Sequence, residues 1–272
     1  MIGVFDSGFG GLTILRGLVK ELPQYDYFYL GDNVHVPYGS RSQEVILKFT
    51  KDAVNYLFKQ GCILIILACN TASAEALRCI QQEYLLSHYP NRRILGIIRP
   101  TAETAIEKFK NKNNLKIGII ATESTVRSKS FIKEIKKLKP ETKIFQQACP
   151  LLVPIIEAGE QNSKGAILIL KKYLKSLLDK KINILILGCT HYPVIKNKIR
   201  KFIDPKISII SEDEILPAKL KNYLIRHPEI EKQLTKKGNR IFMTTDLAVN
   251  FKKLSSLFFG KQIEPKLINF HE

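Results

Sequence analysis

GCILIILACNTASAEALR, residues 61–78, joins an apolar run to a helical pattern through a short polar turn. The run 63–67 is entirely Ile and Leu, which reads as a strand buried on both faces, as in a parallel sheet. Asn70, Thr71 and Ser73 follow, residue types that satisfy the free N–H groups at a helix start, and the helical pattern is expected to run over 74–85. Cys69 therefore falls where a buried strand ends and a helix begins. In open α/β sheets that edge is where ligands bind, and a helix start there favours an anion, either a substrate carboxylate or a thiolate.

The same arrangement occurs at 184–195. The Ile/Leu run 184–187 leads to Gly188-Cys189-Thr190-His191-Tyr192-Pro193 and a helical pattern from Val194. Gly3 lies opposite Gly118, the polar turn Asp6-Ser7 opposite Thr122-Glu123, and Cys69 opposite Cys189, with offsets of 115 to 120 residues. Two related α/β units, not a short-period repeat, explain that agreement. Strand and helix patterns alternate along the chain, so the expected fold class is α/β, two pseudo-symmetric domains with mostly parallel sheets and a small-ligand site at their interface.

The rest of the chain fills in this frame. A first strand starts at Ile2 and ends at Asp6, a second covers 27–30, and 42–59 reads as a long amphipathic helix with Val45, Phe49, Ala53 and Tyr56 on one side. A strand at 94–98 is broken by Pro100, with a helix expected over 101–109. Late strands are expected at 207–210 and 240–243. Gly8-Phe9-Gly10-Gly11 matches neither the phosphate-loop nor the dinucleotide pattern and reads as a tight turn.

Bulk properties narrow the class. The chain has 272 residues, 45% of them hydrophobic, enough for a substantial core in one or two domains. No apolar run approaches the roughly 20 residues that span a bilayer, and Asp6 interrupts any signal-peptide layout. A cytoplasmic protein with no membrane partner is the expectation. The five cysteines form no CxxC pair, so no structural zinc or thioredoxin-type motif is indicated, and reduced thiols are expected. The net charge of +18 leaves nucleic-acid binding open, but the lysines are spread along helical segments without an Arg-rich tail, as on a generally basic surface.

A lone cysteine after an apolar strand is usually a small buried hydrophobe. Two in matched settings, each at a capped helix start expected to lower the thiol pKa, point to chemistry instead. Cys62, Cys79 and Cys149 lack that setting and read as structural. Two thiols on opposite sides of a substrate suit inversion at an amino-acid α-carbon: one removes the proton and the other returns one to the opposite face. His191, two residues beyond Cys189, is placed to assist its ionisation or to be a solvated turn histidine. Asp6 is placed to orient a thiol or bind an ammonium, or simply to cap a turn. Glu157, by itself, would be a helix-surface residue.

GVFDSGFGGLTILR (3–16), GDNVHVPYGSRS (31–42), LACNTASA (67–74), ACPLLVPIIEAGE (148–160) and LGCTHYPVI (187–195), in this order, resemble the glutamate racemases over nearly the whole chain. The resemblance implies a cofactor-independent isomerase that interconverts L- and D-glutamate and supplies D-glutamate for peptidoglycan. It implies Cys69 and Cys189 as the two bases, Asp6 and Ser7 holding substrate polar groups, and Asp6 helping Cys69. Tyr38 and Gly39 would bind the side-chain carboxylate. Asn70, Thr71 and Thr190 would hold the α-carboxylate, His191 would assist Cys189, and Glu157 falls on an acidic position near the site. It also implies a homodimer of two-domain subunits, with 1–97 plus 207–272 as the first domain and 98–206 as the second. The chain departs from the family at 209–213, where many relatives read like IDSAE and this chain reads IISED, and at Asn33 and His35 before the PYG loop. Three competitors stay open on the residues alone: a Cys/His hydrolase or amidotransferase using Cys189 and His191, a racemase for aspartate or hydantoins, and a basic nucleic-acid-binding protein.

Overall fold

The computed structural model describes residues 1–247 and 251–269. Its first sheet contains β1 (Ile2–Asp6), β2 (Tyr27–Gly31), β3 (Leu64–Leu67) and β4 (Arg93–Gly96). The second contains β5 (Lys116–Ala121), β6 (Lys143–Ala148), β7 (Ile184–Gly188) and β8 (Ser208–Ser211). Two late strands, β9 (Arg240–Thr244) and β10 (Lys266–Leu267), return to the first sheet. The orders are β10-β9-β2-β1-β3-β4 and β6-β5-β7-β8. Each described pairing is parallel.

The internal likeness is present in the topology. β2-β1-β3-β4 and β6-β5-β7-β8 share one order. Phe5 pairs with Leu67 as Ile120 pairs with Leu187, so each cysteine follows the strand beside the first strand of its unit. β1, β3 and β7 are buried along their whole length. Helices cover both faces of such a sheet, which is why these strands are apolar throughout and do not alternate. Burying each of these Leu, Ile or Val side chains contributes about 1.5–3 kcal/mol relative to leaving it in water. One cluster of buried side chains crosses between the units, joining Leu12 and Leu15 to Leu185, Leu187 and Leu216.

Several boundaries differ from expectation. β8 hydrogen-bonds to β7 in the second sheet, although 207–211 was expected in the first domain. Its apolar residues pair with Ile184 to Leu187 only in three dimensions, and nothing local in the sequence assigns it to either sheet. The helix beyond β4 starts at Ile98, three residues before the expected start and including Pro100. Pro is tolerated in a first helical turn because the N–H it lacks has no intrahelical acceptor there. The pattern expected as one helix over 74–85 is helical but segmented: the helix Asn70–Glu75 breaks at Ala76, resumes for a turn at Leu77–Cys79 and continues as a π-helical stretch, Ile80–Leu85. The long helix is Gln43–Lys59, and Ser42 caps it by accepting from the Val45 N–H.

Candidate active site

Each cysteine sits one or two residues past its strand, where the chain turns into a helix. Cys69 is the N-cap of Asn70–Glu75, and its Sγ accepts from the Ala72 N–H at 3.4 Å. Ser7 Oγ, from the turn after β1, lies 3.3 Å from the same sulfur. In the second unit, Cys189 Sγ lies 3.8 Å from His191 Nδ1. The other imidazole nitrogen, Nε2, is 2.8 Å from Glu157 Oε1. Glu157 is the last residue of the helix Leu152–Glu157, which is anchored by buried Leu152 and Ile156. The T-shaped contact of Phe258 with His191, centroids 5.0 Å apart, holds the ring from the other side.

Both sulfurs line one cavity of about 200 Å³ between the units. That is smaller than the pockets of about 300 Å³ and above that take drug-sized ligands, which suits a small metabolite. Val36, Pro37, Pro150, Val153 and Pro154 make its apolar walls. Neither Lys nor Arg is among the described lining residues, so an anion would be held by neutral donors such as Ser7, Asn70, Thr71 and Thr190. Among the described residues, no group of three or more His, Cys, Asp or Glu is arranged to hold a metal ion. No described helix is long and apolar enough to cross a membrane.

Of the residues expected at the site, all but Asp6 line this cavity. Asp6 is buried behind the wall, where Oδ2 accepts from the Gly8 N–H at 2.9 Å and Oδ1 from the Thr190 hydroxyl at 3.4 Å. These two bonds tie Asp6 to the Ser7 turn and to Thr190. Tyr38 lines the cavity too, but its hydroxyl donates to Asp32 Oδ2 at 2.6 Å. Gly39 lines it as well, and the first N–H groups of the one-turn helix Tyr38–Ser40 lack intrahelical acceptors.

The electrostatics overturn one expectation. Burial pushes the Cys69 thiol up to about 11, and the nearby Asp6 carboxylate adds to the effect, while hydrogen bonds from Ser7 and Ala72 oppose it. Burial likewise raises the Cys189 thiol well above its ordinary value, against the His191 N–H. The helix-start donors are present, but taking a charged sulfur out of water costs more than they return. Burial therefore favours the neutral form of both thiols. Asp6 is itself raised by burial, with the His191 ring opposing.

Three groups were missed from the sequence. Thr122 lines the cavity, and its Oγ1 lies 3.0 Å from Thr71 Oγ1, linking the two units. The internal likeness that pairs Thr122-Glu123 with Asp6-Ser7 was the signal for it. Asp32 is fully buried behind Tyr38 and also lies 2.9 Å from His35 Nδ1. Cys149, read as structural, also lines the cavity, and burial raises its thiol further than that of Cys69.

The family model for Asp/Glu/hydantoin racemases matches residues 2–212. The chain belongs to this family. It is 38% identical over 262 residues to a glutamate racemase of Persephonella marina, covering 96% of this chain and 94% of that protein. It is 34% identical over 262 residues to one from Geobacter metallireducens, covering 96% and 93%. Among solved structures it is similar to the glutamate racemase of Francisella tularensis in complex with D-glutamate, with a TM-score of 0.87 and 33% identity over 99% of this chain and 97% of that one. A glutamate racemase isoform from Bacillus anthracis gives a TM-score of 0.88 at 31% identity, covering 99% and 97%. The likeness expected from the motifs thus holds over nearly the whole family member.

Proposed function

We propose that this family member interconverts L- and D-glutamate by a two-base reaction, with Cys69 and Cys189 on opposite sides of the α-carbon. The observation that carries the reading is that two cysteines at equivalent strand ends of two like units open onto one small cavity. The thiolate of one removes the α-proton. The electron pair left on carbon delocalises into the α-carboxylate, which Asn70, Thr71 and Thr190 hold through neutral donors that stabilise the growing charge. The opposite thiol delivers a proton to the other face, and the exchanged protonation states serve the reverse direction. Ser7 and Asp6 support Cys69, while His191, oriented by Glu157, supports Cys189. The site uses no cofactor in this reading. The substrate's ammonium replaces part of the hydration that burial denies the sulfurs, which helps a thiolate form once the ligand is bound. The enzyme works in the cytoplasm as a homodimer, and its D-glutamate goes to peptidoglycan.

The test is circular dichroism of L-glutamate incubated with dialysed, chelator-treated protein, together with solvent deuterium entering at Cα. Racemisation should be seen in the wild type. Cys69→Ser and Cys189→Ser should each lower it by at least about a hundredfold, the scale of general acid–base catalysis. Near-full activity in either variant rejects the scheme. The Cys189–His191–Glu157 relay also has the form of a thiol hydrolase site. That reading needs only one cysteine and leaves a burst of covalent intermediate, so Cys69→Ser separates the two.

A further inference from the structure

Glu212 is the first residue of the helix after β8, and only 1% of its surface is exposed. Buried carboxyl groups are expensive unless paired, yet among the described residues no ion pair is made by Glu212. Its Oε1 instead accepts from Asn70 Nδ2 at 2.7 Å and from the Thr101 hydroxyl at 3.4 Å. Glu212 Oε2 and Asn70 Oδ1 are both buried without a hydrogen-bond partner among the described residues. Asn70 lines the cavity, but its Oδ1 has almost no accessible surface, so the amide turns its acceptor away from the open space.

We propose that Glu212 is a positioning residue that sets the orientation of the Asn70 amide, so that Asn70 presents a donor and not an acceptor to an anion in the cavity. An amide has two nearly isosteric orientations, and only its hydrogen-bond partners choose between them. With Glu212 Oε1 taking one Nδ2 hydrogen, the second hydrogen remains for the ligand. Without that acceptor the amide is free to rotate and to set Oδ1 against a carboxylate, which repels it. Glu212 belongs to the segment that follows β8 of the second sheet, whereas Asn70 follows β3 of the first, so the contact also ties the anion-holding wall to the opposite unit. In the sequence, 209–213 stands out only as a departure from the family pattern.

The kinetic arm rests on the proposed glutamate racemisation. Glu212→Ala should raise KM for glutamate about tenfold, the scale of one hydrogen bond to a charged group, with kcat within about threefold of wild type. Glu212→Gln keeps an acceptor in place and should restore KM to within about threefold of wild type. In an Asn70→Ala background, Glu212→Ala should change KM by less than about twofold. An unchanged KM in Glu212→Ala, a Gln variant as impaired as the Ala variant, or full additivity with Asn70→Ala overturns the proposal. A thermal-melt double-mutant cycle on the same variants reads the contact with no substrate present. Non-additive losses of Tm support the contact, and additive losses overturn it even if the wild type acts on something other than glutamate.

Discussion

At the scale of single residues, the candidate site sets two sulfurs in a dry setting. A cysteine at a helix start was expected to be acidic, but the structure buries Cys69 and sets Asp6 near it, and its thiol rises to about 11. The sign for activity follows directly. Below that value the thiolate fraction of the free enzyme grows about tenfold per pH unit, and kcat/KM reports free-enzyme groups. The value of kcat/KM for L-glutamate should therefore rise steadily from pH 7 to about 9, the ordinary thiol range. A flat profile would mean that an internal base already holds the proton. Glu157→Gln weakens the support of the His191 ring and should lower kcat/KM about tenfold, the scale of one charge-assisted hydrogen bond. L- and D-glutamate have equal free energy in water, so the same factor must be lost from either enantiomer. Unequal losses would show that the assay follows some other reaction.

At the scale of elements, the strand–turn–helix unit does the positioning, and its glycines set how close the turns can come. The tight turn at 8–11 lies against the second cysteine's turn: a Cβ on Gly10 would fall 2.2 Å from Thr190 Oγ1 and 2.5 Å from His191 Nδ1. Gly10→Ala should therefore displace both side chains and cut racemisation by at least about tenfold, a misplacement effect of the kind that positioning residues show. Circular dichroism would show whether the fold is retained. Gly165→Ala is the control, since nothing lies within 4 Å of the added carbon in the helix Lys164–Leu178. It should raise stability by about 0.5–1 kcal/mol with unchanged activity. A Gly10 variant as active as the Gly165 variant would show that this contact is dispensable. The start of the long helix was legible to within one residue, because capping chemistry is local. The π-helical turn at Ile80–Leu85 was not, because it keeps the apolar spacing of a helix in its sequence.

At the scale of the molecule, buried thiols link stability to pH. Cys62, in the core behind β1, is raised to about 12 by burial, against 9.0 for the ordinary thiol. An acid raised on folding adds stability that is fully present below the unfolded value and is lost as pH climbs through the folded one. From pH 9 to about 12 the unfolded chain ionises Cys62 first, so the folded state loses ground. Thermal melts should show the Tm advantage of wild type over Cys62→Ala shrinking between pH 8 and 11. A constant difference would mean that Cys62 does not titrate on unfolding.

The sequence by itself determined the alternation of strand and helix, the likeness of the two units, the two cysteine turns and about half of the described residues that line the cavity. These are local or periodic signals: apolar runs of strand length, capping residues and a repeated motif. Only the tertiary structure decided that β8 completes the second sheet, that Asp6 is buried against Thr190, and that Glu212 and Thr122 reach across the interface. It also decided that burial raises both thiols above their ordinary range. Each of these depends on which groups burial brings together and how much water it removes, and that is a property of packed surfaces distant in the chain, which no local pattern encodes.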